Sequence, residues 1–399
     1  MCWSGTAAPG GTVEFVIAPD KFKGTIGASP AAEAIGRGVR KVFPAATLVL
    51  RPMADGGEGT VEALLTAVGG RESHETVTGP LGGEVQAAIG WLADDRAVIE
   101  VAQAAGLVLV DPDRRDPLRA DTFGVGQLIR AAAESGRCRS LVVGIGGSAT
   151  SDGGTGAARA LGWRFLDAAG GELAPGGGEL ARLARIDGSG ATEAVRGLEI
   201  VVASDVDNPL LGERGAARVF APQKGASPEE VEQLERGLTV LAERIRADVG
   251  LDVADRPGAG AAGGLGAGLM AFCGATLRPG FDLLAEAGDL ARAIRVSDHV
   301  ITGEGKLDRQ SLGGKTPLGV ARLAAKSLVP CYAVAGDIPL NDRKALHDAG
   351  FAGMVSLLEA VGEDRSFEDP AGAIEAATEK LLRSKILREA PGRRGRRII

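Results

Sequence analysis

Short strands that alternate with helices at both ends of the chain limit the possible folds most strongly. Apolar, β-branched runs at residues 13–18 and 47–51 precede helical patterns at 30–42 and about 59–67. After Gly280 the same order returns, with predicted helices at 282–295, 317–326 and 341–349 and predicted strands at 299–302, 331–335 and 353–356. This alternation is typical of a parallel sheet covered by helices. We therefore predict that both termini form one parallel α/β domain.

The middle of the chain has a different pattern. Short alternating segments at 75–77, 85–92 and 97–101, separated by Gly-Pro, Gly-Gly and Asp-Asp turns, predict antiparallel hairpins. Predicted strands at 140–145, 163–166 and 198–203 and helices at 125–134, 155–161 and 228–248 complete this mixed α+β region. The sequence thus predicts an α/β protein with one domain from residues 1–70 and 281–399, an inserted domain from 71–280, and an active-site cleft between them.

Composition and charge narrow the function classes. Glycine and proline account for 61 and 19 of the 399 residues, but 45% of the chain is hydrophobic, so we expect many turns and no disorder. The net charge of −7 argues against a nucleic-acid partner. Four widely separated cysteines fit reduced thiols, and neither a signal-peptide pattern nor a long apolar run is present. We expect a cytoplasmic protein without a membrane partner.

Polar, glycine-bearing segments follow five of the predicted strands, which is where open α/β sheets bind ligands. They are residues 19–25, 55–60, 144–154, 204–209 with the following 222–225, and 302–310. Carboxylates among glycines and lysines at such positions suit a divalent cation or a phosphate, although an exposed turn or a helix cap would use the same residue types. The last segment leads to Gly-Lys-Thr at 314–316, but Arg309 stands where a P-loop needs glycine, so a P-loop is not expected.

The segment 144–154 carries the strongest phosphate-binding signal. Its glycines let backbone N–H groups converge on an anion, and a predicted helix begins directly after it. It also matches GxGxxA, with Asp167 at the distance that a dinucleotide fingerprint requires. Asp152 argues against that interpretation, because its carboxylate would repel a pyrophosphate unless a divalent cation lay between them. A metal-bridged nucleoside triphosphate fits better.

Eight segments together resemble the class I glycerate kinases, the bacterial glycerate 2-kinase family, in family order from about residue 13 to 357. The matching stretches are IAPDKFKGT, PMADGGEGT, VTGPLGGEV, AVIEVAQAAGL, GIGGSATSDGGTGAARALG, ASDVDNPLLGERGAARVFAPQKGA, RPGAGAAGGLGAGL and VITGEGKLDRQSLGGKTPLGVA. The resemblance implies phosphorylation of D-glycerate by ATP with Mg²⁺, with 2-phosphoglycerate as the product, on a Rossmann-like domain that carries an inserted mixed α/β domain. The chain departs from the family pattern at Lys21, Asp121, Val125 and Gln127.

With this resemblance, the polar loops receive hypothetical roles. Expected phosphate contacts of ATP are Gly146, Gly147, Ser148, Thr150 and Lys315. Asp152 and Asp205 are the expected Mg²⁺ contacts, and Lys23 would neutralise the transferred phosphoryl group. Asp308, or else Asp20, would orient the glycerate hydroxyl and accept its proton. Expected substrate contacts are Asp55, Glu58, Lys224, Arg278 and Glu304, with Arg278 or Lys224 on the carboxylate.

Two other function classes remain open from the sequence. One is a nicotinamide-dependent oxidoreductase of a small hydroxy acid, which depends on the segment 144–149 and Asp167. The other is a noncatalytic, two-lobed protein that binds a small anion. The sequence does not give the oligomeric state, for which a homodimer is our candidate.

Overall fold

The computed structural model describes residues 12–22, 24–309, 311 and 316–389. Residues 387–389 are described by their backbone alone. Within this part of the chain the strands are β1 (Glu14–Ile17), β2 (Thr47–Leu50), β3 (Gly70–Thr78), β4 (Glu84–Leu92), β5 (Arg96–Glu100), β6 (Ser140–Gly144), β7 (Arg164–Leu166), β8 (Arg185–Asp187), β9 (Glu199–Ala203), β10 (Thr276–Arg278), β11 (His299–Lys306), β12 (Cys331–Asp337) and β13 (Phe351–Ser356). The α-helices are α1 (Ala28–Val42), α2 (Thr60–Val68), α3 (Val101–Ala105), α4 (Phe123–Glu134), α5 (Thr155–Ala160), α6 (Ala216–Phe220), α7 (Pro228–Arg244), α8 (Ala261–Cys273), α9 (Gly280–Ala287), α10 (Leu290–Val296), α11 (Thr316–Lys326), α12 (Arg343–Asp348), α13 (Leu357–Val361), α14 (Glu363–Glu368) and α15 (Pro370–Glu389).

The chain forms two compact units. Unit 1 combines the residues up to Met53 with those from Ala285 onward, and unit 2 is the continuous segment Ala54–Leu284. Each unit has its own sheet. The α/β fold class expected from the sequence is confirmed, while the predicted domain joints stay predictions.

Unit 1 contains a five-stranded parallel sheet in the order β13-β12-β11-β1-β2. Its apolar strands are buried, as all-parallel sheets require, since helices cover both faces. Phe15 and Ile17 pack with Ile35 of α1 and Ile374 of α15 in one hydrophobic cluster. Helices α1 and α15 approach closely at Gly38, where a Cβ would lie 2.6 Å from the Glu375 carbonyl oxygen.

Some predicted elements of unit 1 need correction. The single helix predicted at 282–295 is two helices, α9 and α10, because Asp289 adopts φ +45° between them. The helix predicted at 30–42 begins earlier, since α1 starts at Ala28 after Gly27. The sequence interpretation also missed α15, whose hydrophobic side is fixed by packing on α1 and the sheet.

Unit 2 contains a six-stranded sheet in the order β10-β9-β6-β5-β4-β3. The four strands from β10 to β5 are parallel, and β5, β4 and β3 form the antiparallel hairpins that the sequence predicted. Ile89, Ile99, Leu128 and Val202 lie in its main core. Helix α7 begins with a capping box of Ser227 and Glu230 and covers a second hydrophobic cluster beside the sheet.

Every helix among the residues that the structure describes is too short or too polar to cross a bilayer.

Candidate active site

Several polar loops of unit 2 meet at the carboxyl ends of its parallel strands. The loop between β2 and α2 crosses the ends of β6 and β9, and the backbone N–H of Gly146 donates to the Gly56 carbonyl oxygen at 3.1 Å. Gly56 adopts φ +84°, and a Cβ there would lie 2.4 Å from the Ala203 carbonyl oxygen. Only glycine fits this approach without displacing the backbone. The structure thus brings the predicted segments 55–60, 144–154 and 204–209 together.

Glu100, at the end of β5, holds this crossing loop in place. Its side chain is 4% exposed, and its Oε1 accepts hydrogen bonds from the backbone N–H groups of Gly59 at 3.1 Å and Val61 at 2.8 Å. The carboxylate therefore caps the first turn of α2, a position where a negative charge is favourable. The sequence analysis did not select Glu100. Its signal in the sequence is an acid directly after the apolar run 97–99 of a strand.

The Asp205 carboxylate and the backbone of Asp55, from distant parts of the sequence, both lie beside Gly280. The Gly280 N–H donates to Asp205 Oδ1 at 2.7 Å, and a Cβ on Gly280 would lie 2.6 Å from the Asp55 carbonyl carbon. Asp55 Oδ1 also accepts from the Gly57 N–H at 3.2 Å. Both acids are exposed, and Arg278 ends β10 beside them. The sequence identified each residue but not that one glycine joins the two acids.

These two acids fit a magnesium ion in number and type. Within the described residues no group of three or more His, Cys, Asp or Glu side chains could hold a metal ion on its own. Mg²⁺ usually takes only one or two carboxylates and fills its other positions with substrate phosphates and water. Asp205 and Asp55 would provide that set next to the glycine-rich loop.

The glycine-rich segment 144–154 is held by backbone hydrogen bonds to the end of α3. The Ala149 N–H donates to the Ala105 carbonyl oxygen and the Leu107 N–H donates to the Gly147 carbonyl oxygen, both at 2.8 Å. Gly147 adopts φ +74°, which reverses the chain at this point. The segment is therefore a fixed turn after β6, in the position of the predicted phosphate loop.

Lys224 supports the same loop from the protein interior. Its side chain is 3% exposed, and its ammonium group donates to Ser148 Oγ at 3.1 Å and to the Thr150 carbonyl oxygen. Burial lowers the pKa of Lys224 to about 7, an effect that the Asp152 carboxylate partly opposes. Within the described residues the Thr150 hydroxyl is buried without a hydrogen-bond partner. The structure thus places Lys224 against the phosphate loop, whereas the sequence offered it for the substrate carboxylate.

Asp152 is enclosed behind this loop. It is 0% exposed, and its Oδ2 accepts from the Thr122 N–H at 3.0 Å, the Thr122 hydroxyl at 2.8 Å and the Gly156 N–H at 2.9 Å. Oδ1 accepts from the Gly154 N–H at 3.1 Å. These donors satisfy the carboxylate and join the starts of α4 and α5. The predicted Mg²⁺ contact of Asp152 stays a prediction, and the contacts present give it a role in holding two helices.

Asp121 lies beside this buried acid. Burial, together with the nearby Asp152 carboxylate, raises the pKa of Asp121 to about 6, and a hydrogen bond from the Phe123 N–H partly opposes this rise. Burial also lowers the pKa of Arg159, and the negative charges of Asp152 and Asp121 partly oppose this effect. Asp121 therefore adds a second buried acid beside Asp152.

In unit 1, acids lie at or just after the carboxyl ends of the neighbouring strands β1 and β11. The Asp20 N–H donates to the Gly303 carbonyl oxygen at 2.8 Å, and Asp20 and Glu304 are 8% and 9% exposed. Asp308 Oδ1 accepts from the Ser311 N–H at 3.3 Å, and Ser311 Oγ accepts from the Asp308 N–H at 3.2 Å. The structure therefore brings Asp20 and Glu304 to one edge of this sheet. Lys23 and Lys315 lie outside the described residues, so their predicted roles stay predictions.

Comparisons with known proteins place the chain in one family. The model of the glycerate kinase family matches residues 15–385. The chain belongs to the glycerate kinase family.

Relatives of this family align over nearly their whole length. A glycerate kinase of Bacillus subtilis is 45% identical over 383 residues, which cover 94% of this chain and 100% of the relative. A glycerate 2-kinase of Escherichia coli is 47% identical over 351 residues, which cover 88% of this chain and 92% of the relative. The crystal structure of a putative glycerate kinase 2 from Salmonella typhimurium LT2 superposes with a TM-score of 0.81 at 43% identity, over 93% of this chain and 97% of that one.

The glycerate kinase fold does not support the dinucleotide alternative. After the glycine-rich segment a dinucleotide site needs a strand in the same parallel sheet, but β7 pairs with β8 in a separate antiparallel pair. Asp167 Oδ1 accepts from the N–H groups of Ala169 and Gly171 within its own turn, both at 2.9 Å. Neither this geometry nor the relatives named here favour an oxidoreductase or a noncatalytic binding protein.

Proposed function

We propose that this protein transfers the γ-phosphoryl group of ATP to the 2-hydroxyl group of D-glycerate, with 2-phosphoglycerate and ADP as products. The observation that carries the proposal is the meeting of a glycine-rich turn with Asp55 and Asp205 at one end of the unit 2 sheet. Membership in the glycerate kinase family supports the choice of acceptor.

The glycine-rich turn is the proposed phosphate site. Backbone N–H groups of Gly146 and Gly147, with the Ser148 hydroxyl, would bind the phosphates of ATP, because amides at a strand-to-helix turn favour anions. Lys224 holds this turn through Ser148 and Thr150. A fixed turn lowers the barrier because donors already aimed at the phosphates need no reorganisation during transfer.

Asp205, together with Asp55, is the proposed holder of Mg²⁺. When bound, the ion would neutralise charge on the phosphates. The backbone N–H of Gly280 donates to Asp205 Oδ1 and thereby orients the Asp205 carboxylate. Arg278, at the end of β10, is a candidate for the glycerate carboxylate, and Glu58 for a glycerate hydroxyl.

The acids of unit 1 are the proposed bases. Asp308, or else Asp20, would orient the 2-hydroxyl group of glycerate and accept its proton, and Glu304 would contact the substrate. Lys23 and Lys315 remain proposed phosphate contacts. A homodimer and a cytoplasmic location also stay predictions.

The direct test combines an assay with a charge-removing variant. ADP release should require D-glycerate, and NMR of the product should show phosphate on the 2-position. D205N keeps an oxygen for the Gly280 N–H but removes the charge, so we expect kcat to fall at least about 100-fold with little change in Tm. D207N removes an exposed acid that pairs with Arg214 and should retain activity. Full activity in D205N would remove Asp205 from the scheme, and no ADP release with glycerate would overturn the proposed function.

A further inference from the structure

Unit 2 contains a cavity lined by arginines at the opposite end of β5 from the candidate active site. Its volume is 340 Å³, and it is lined by Gly70, Arg71, Trp91, Leu92, Arg96 and Arg137. Arg96 begins β5, whereas Glu100 at the other end of the strand holds the crossing loop of the candidate active site. Four residue steps in a strand span about 13 Å, so the two places are separate. We propose that this cavity binds a small polyanion with phosphate or carboxylate groups.

The charge of the cavity supports an anionic ligand. Arg96 is neutralised by Asp94, whose Oδ2 accepts from Nε at 2.9 Å and from Nη2 at 2.6 Å. Arg71 and Arg137 are exposed, and neither forms an ion pair with any residue that the structure describes. Two uncompensated guanidinium groups thus share one concave surface on a protein whose net charge is −7. Planar guanidinium groups match phosphate and carboxylate oxygens, which makes such a pair selective for these groups.

The shape of the cavity is fixed by its strands. Arg71 lies directly opposite Trp91 in the antiparallel pair of β3 and β4, and Trp91 Nε1 donates to Ser73 Oγ at 2.8 Å. Gly70 adopts φ +144°, and a Cβ there would lie 2.1 Å from the Trp91 carbonyl oxygen. The indole ring and Arg71 are therefore carried by paired strands, while Arg137 lies in the connection between α4 and β6. A small ligand would meet one apolar surface and these two positive groups.

The same two elements connect this cavity with the candidate active site. Helix α2 begins at the loop that Glu100 caps and ends directly before Gly70, and β5 runs from Arg96 to Glu100. A bound anion would touch the far ends of both. The proposal concerns binding and stands whether or not the proposed kinase activity is correct.

Inorganic pyrophosphate is the probe for the test. Titration calorimetry and tryptophan fluorescence would follow its binding to the full-length protein without substrates. We expect the fluorescence change to disappear in W91F and the apparent Kd to rise at least tenfold in R71Q/R137Q. The matched control R246Q/R322Q removes the same charge at two exposed arginines that lie outside the cavity, and it should bind like wild type.

The outcomes separate this cavity from any other anion site. Binding that weakens equally in the two double variants would show a general charge effect and overturn the proposal. The proposal would also be overturned if pyrophosphate caused no change in the Trp91 fluorescence of the wild-type protein. Binding at the glycine-rich turn would be unchanged in R71Q/R137Q, so it cannot imitate the expected result.

Discussion

At the residue scale, the most informative side chains are charged groups that the fold buries. Asp121, Asp152 and Lys224 all lie behind the glycine-rich turn, and they are 8%, 0% and 3% exposed. Burial disfavours the charged forms of Asp121 and Lys224, and the hydrogen bonds and charges around all three side chains must offset their lost hydration. The free energy of unfolding, and its change with pH, should therefore be sensitive to substitutions of these side chains.

Replacement of Asp121 by asparagine should stabilise the protein above pH 6. The folded-state pKa of Asp121 is raised to about 6, so the folded state holds its proton more tightly than the unfolded chain. Its destabilising contribution grows as pH rises from about 4 to 6 and then stays constant. We expect D121N to raise the free energy of unfolding by about 1–3 kcal/mol at pH 8, with no gain below pH 4.

Urea unfolding at several pH values would measure this effect. D113N, at an exposed position outside the buried cluster, should show no such pH-dependent gain. A D121N variant that is less stable than wild type at pH 8 would show that the Asp121 charge has a favourable partner.

Replacement of Lys224 by methionine should change how the free energy of unfolding depends on pH above about pH 7. The folded-state pKa of Lys224 is lowered to about 7 while the unfolded value stays near 10.5, so the unfolded chain binds the extra proton between these values. The contribution of Lys224 to the free energy of unfolding should rise with pH between 7 and 10, by up to about 1.4 kcal/mol per pH unit. The free energies of unfolding of wild type and K224M would be measured by urea unfolding at several pH values between 7 and 10. A constant difference between the two proteins over this range would contradict the prediction.

At the element scale, the crossing loop depends on two contacts that sequence spacing does not show. Glu100 caps α2 from another strand, and Gly56 passes over the end of β9. The glycine-rich composition and the acids did identify the segment as a loop at a strand end. Which strands it crosses depends on pairing between residues far apart in the sequence.

Removal of the Glu100 carboxylate should release the start of α2. E100A would leave the Gly59 and Val61 N–H groups without their acceptor, so we expect a loss of about 2–4 kcal/mol in the free energy of unfolding. Hydrogen exchange at these two amides should speed up at the same time. E62A, on the exposed side of the same helix, is the control and should cost much less. Unchanged exchange at Gly59 and Val61 would mean that Glu100 does not cap the helix.

A pair of glycine substitutions can separate backbone strain from close approach. Gly56 and Gly170 both adopt φ +84°, but a Cβ on Gly56 would lie 2.4 Å from the Ala203 carbonyl oxygen, whereas nothing lies within 4 Å at Gly170. G170A should therefore cost only about 1 kcal/mol, the strain of a left-handed alanine. G56A should cost more and also impair activity, because its loop must move. Equal effects on Tm and kcat/KM in both variants would rule out the close approach as the cause.

At the scale of the whole molecule, the two units differ in how their chain segments are arranged. The hydrophobic clusters of unit 2 consist entirely of residues within Ala54–Leu284. The cluster of unit 1 needs both ends of the chain, since Phe15 and Ile35 pack with Ile374 and Leu382. The sequence predicted this two-ended arrangement from the return of the strand-helix alternation.

An isolated fragment of unit 2 should therefore fold on its own, whereas a fragment from only one end of unit 1 should not. The fragment 54–284 should fold and unfold cooperatively in urea, because its sheet and cores are complete. The fragment 285–389 lacks β1, β2 and α1 and should show no cooperative transition. Circular dichroism would measure both, and an unfolded 54–284 fragment would show that unit 2 needs unit 1 for stability.

The sequence by itself determined the α/β class, the antiparallel hairpins of β3 to β5 and the loops that carry the candidate ligands. These features depend on local patterns: strand and helix periodicity, turn residues, and polar residues placed directly after strands. The tertiary structure alone decided which charges are buried and which neighbours they meet. Asp152 received four hydrogen bonds in the interior, Lys224 was placed under the phosphate loop, and Asp55 and Asp205 were joined at Gly280. Burial and charge pairing depend on contacts between distant segments, which only the folded chain creates.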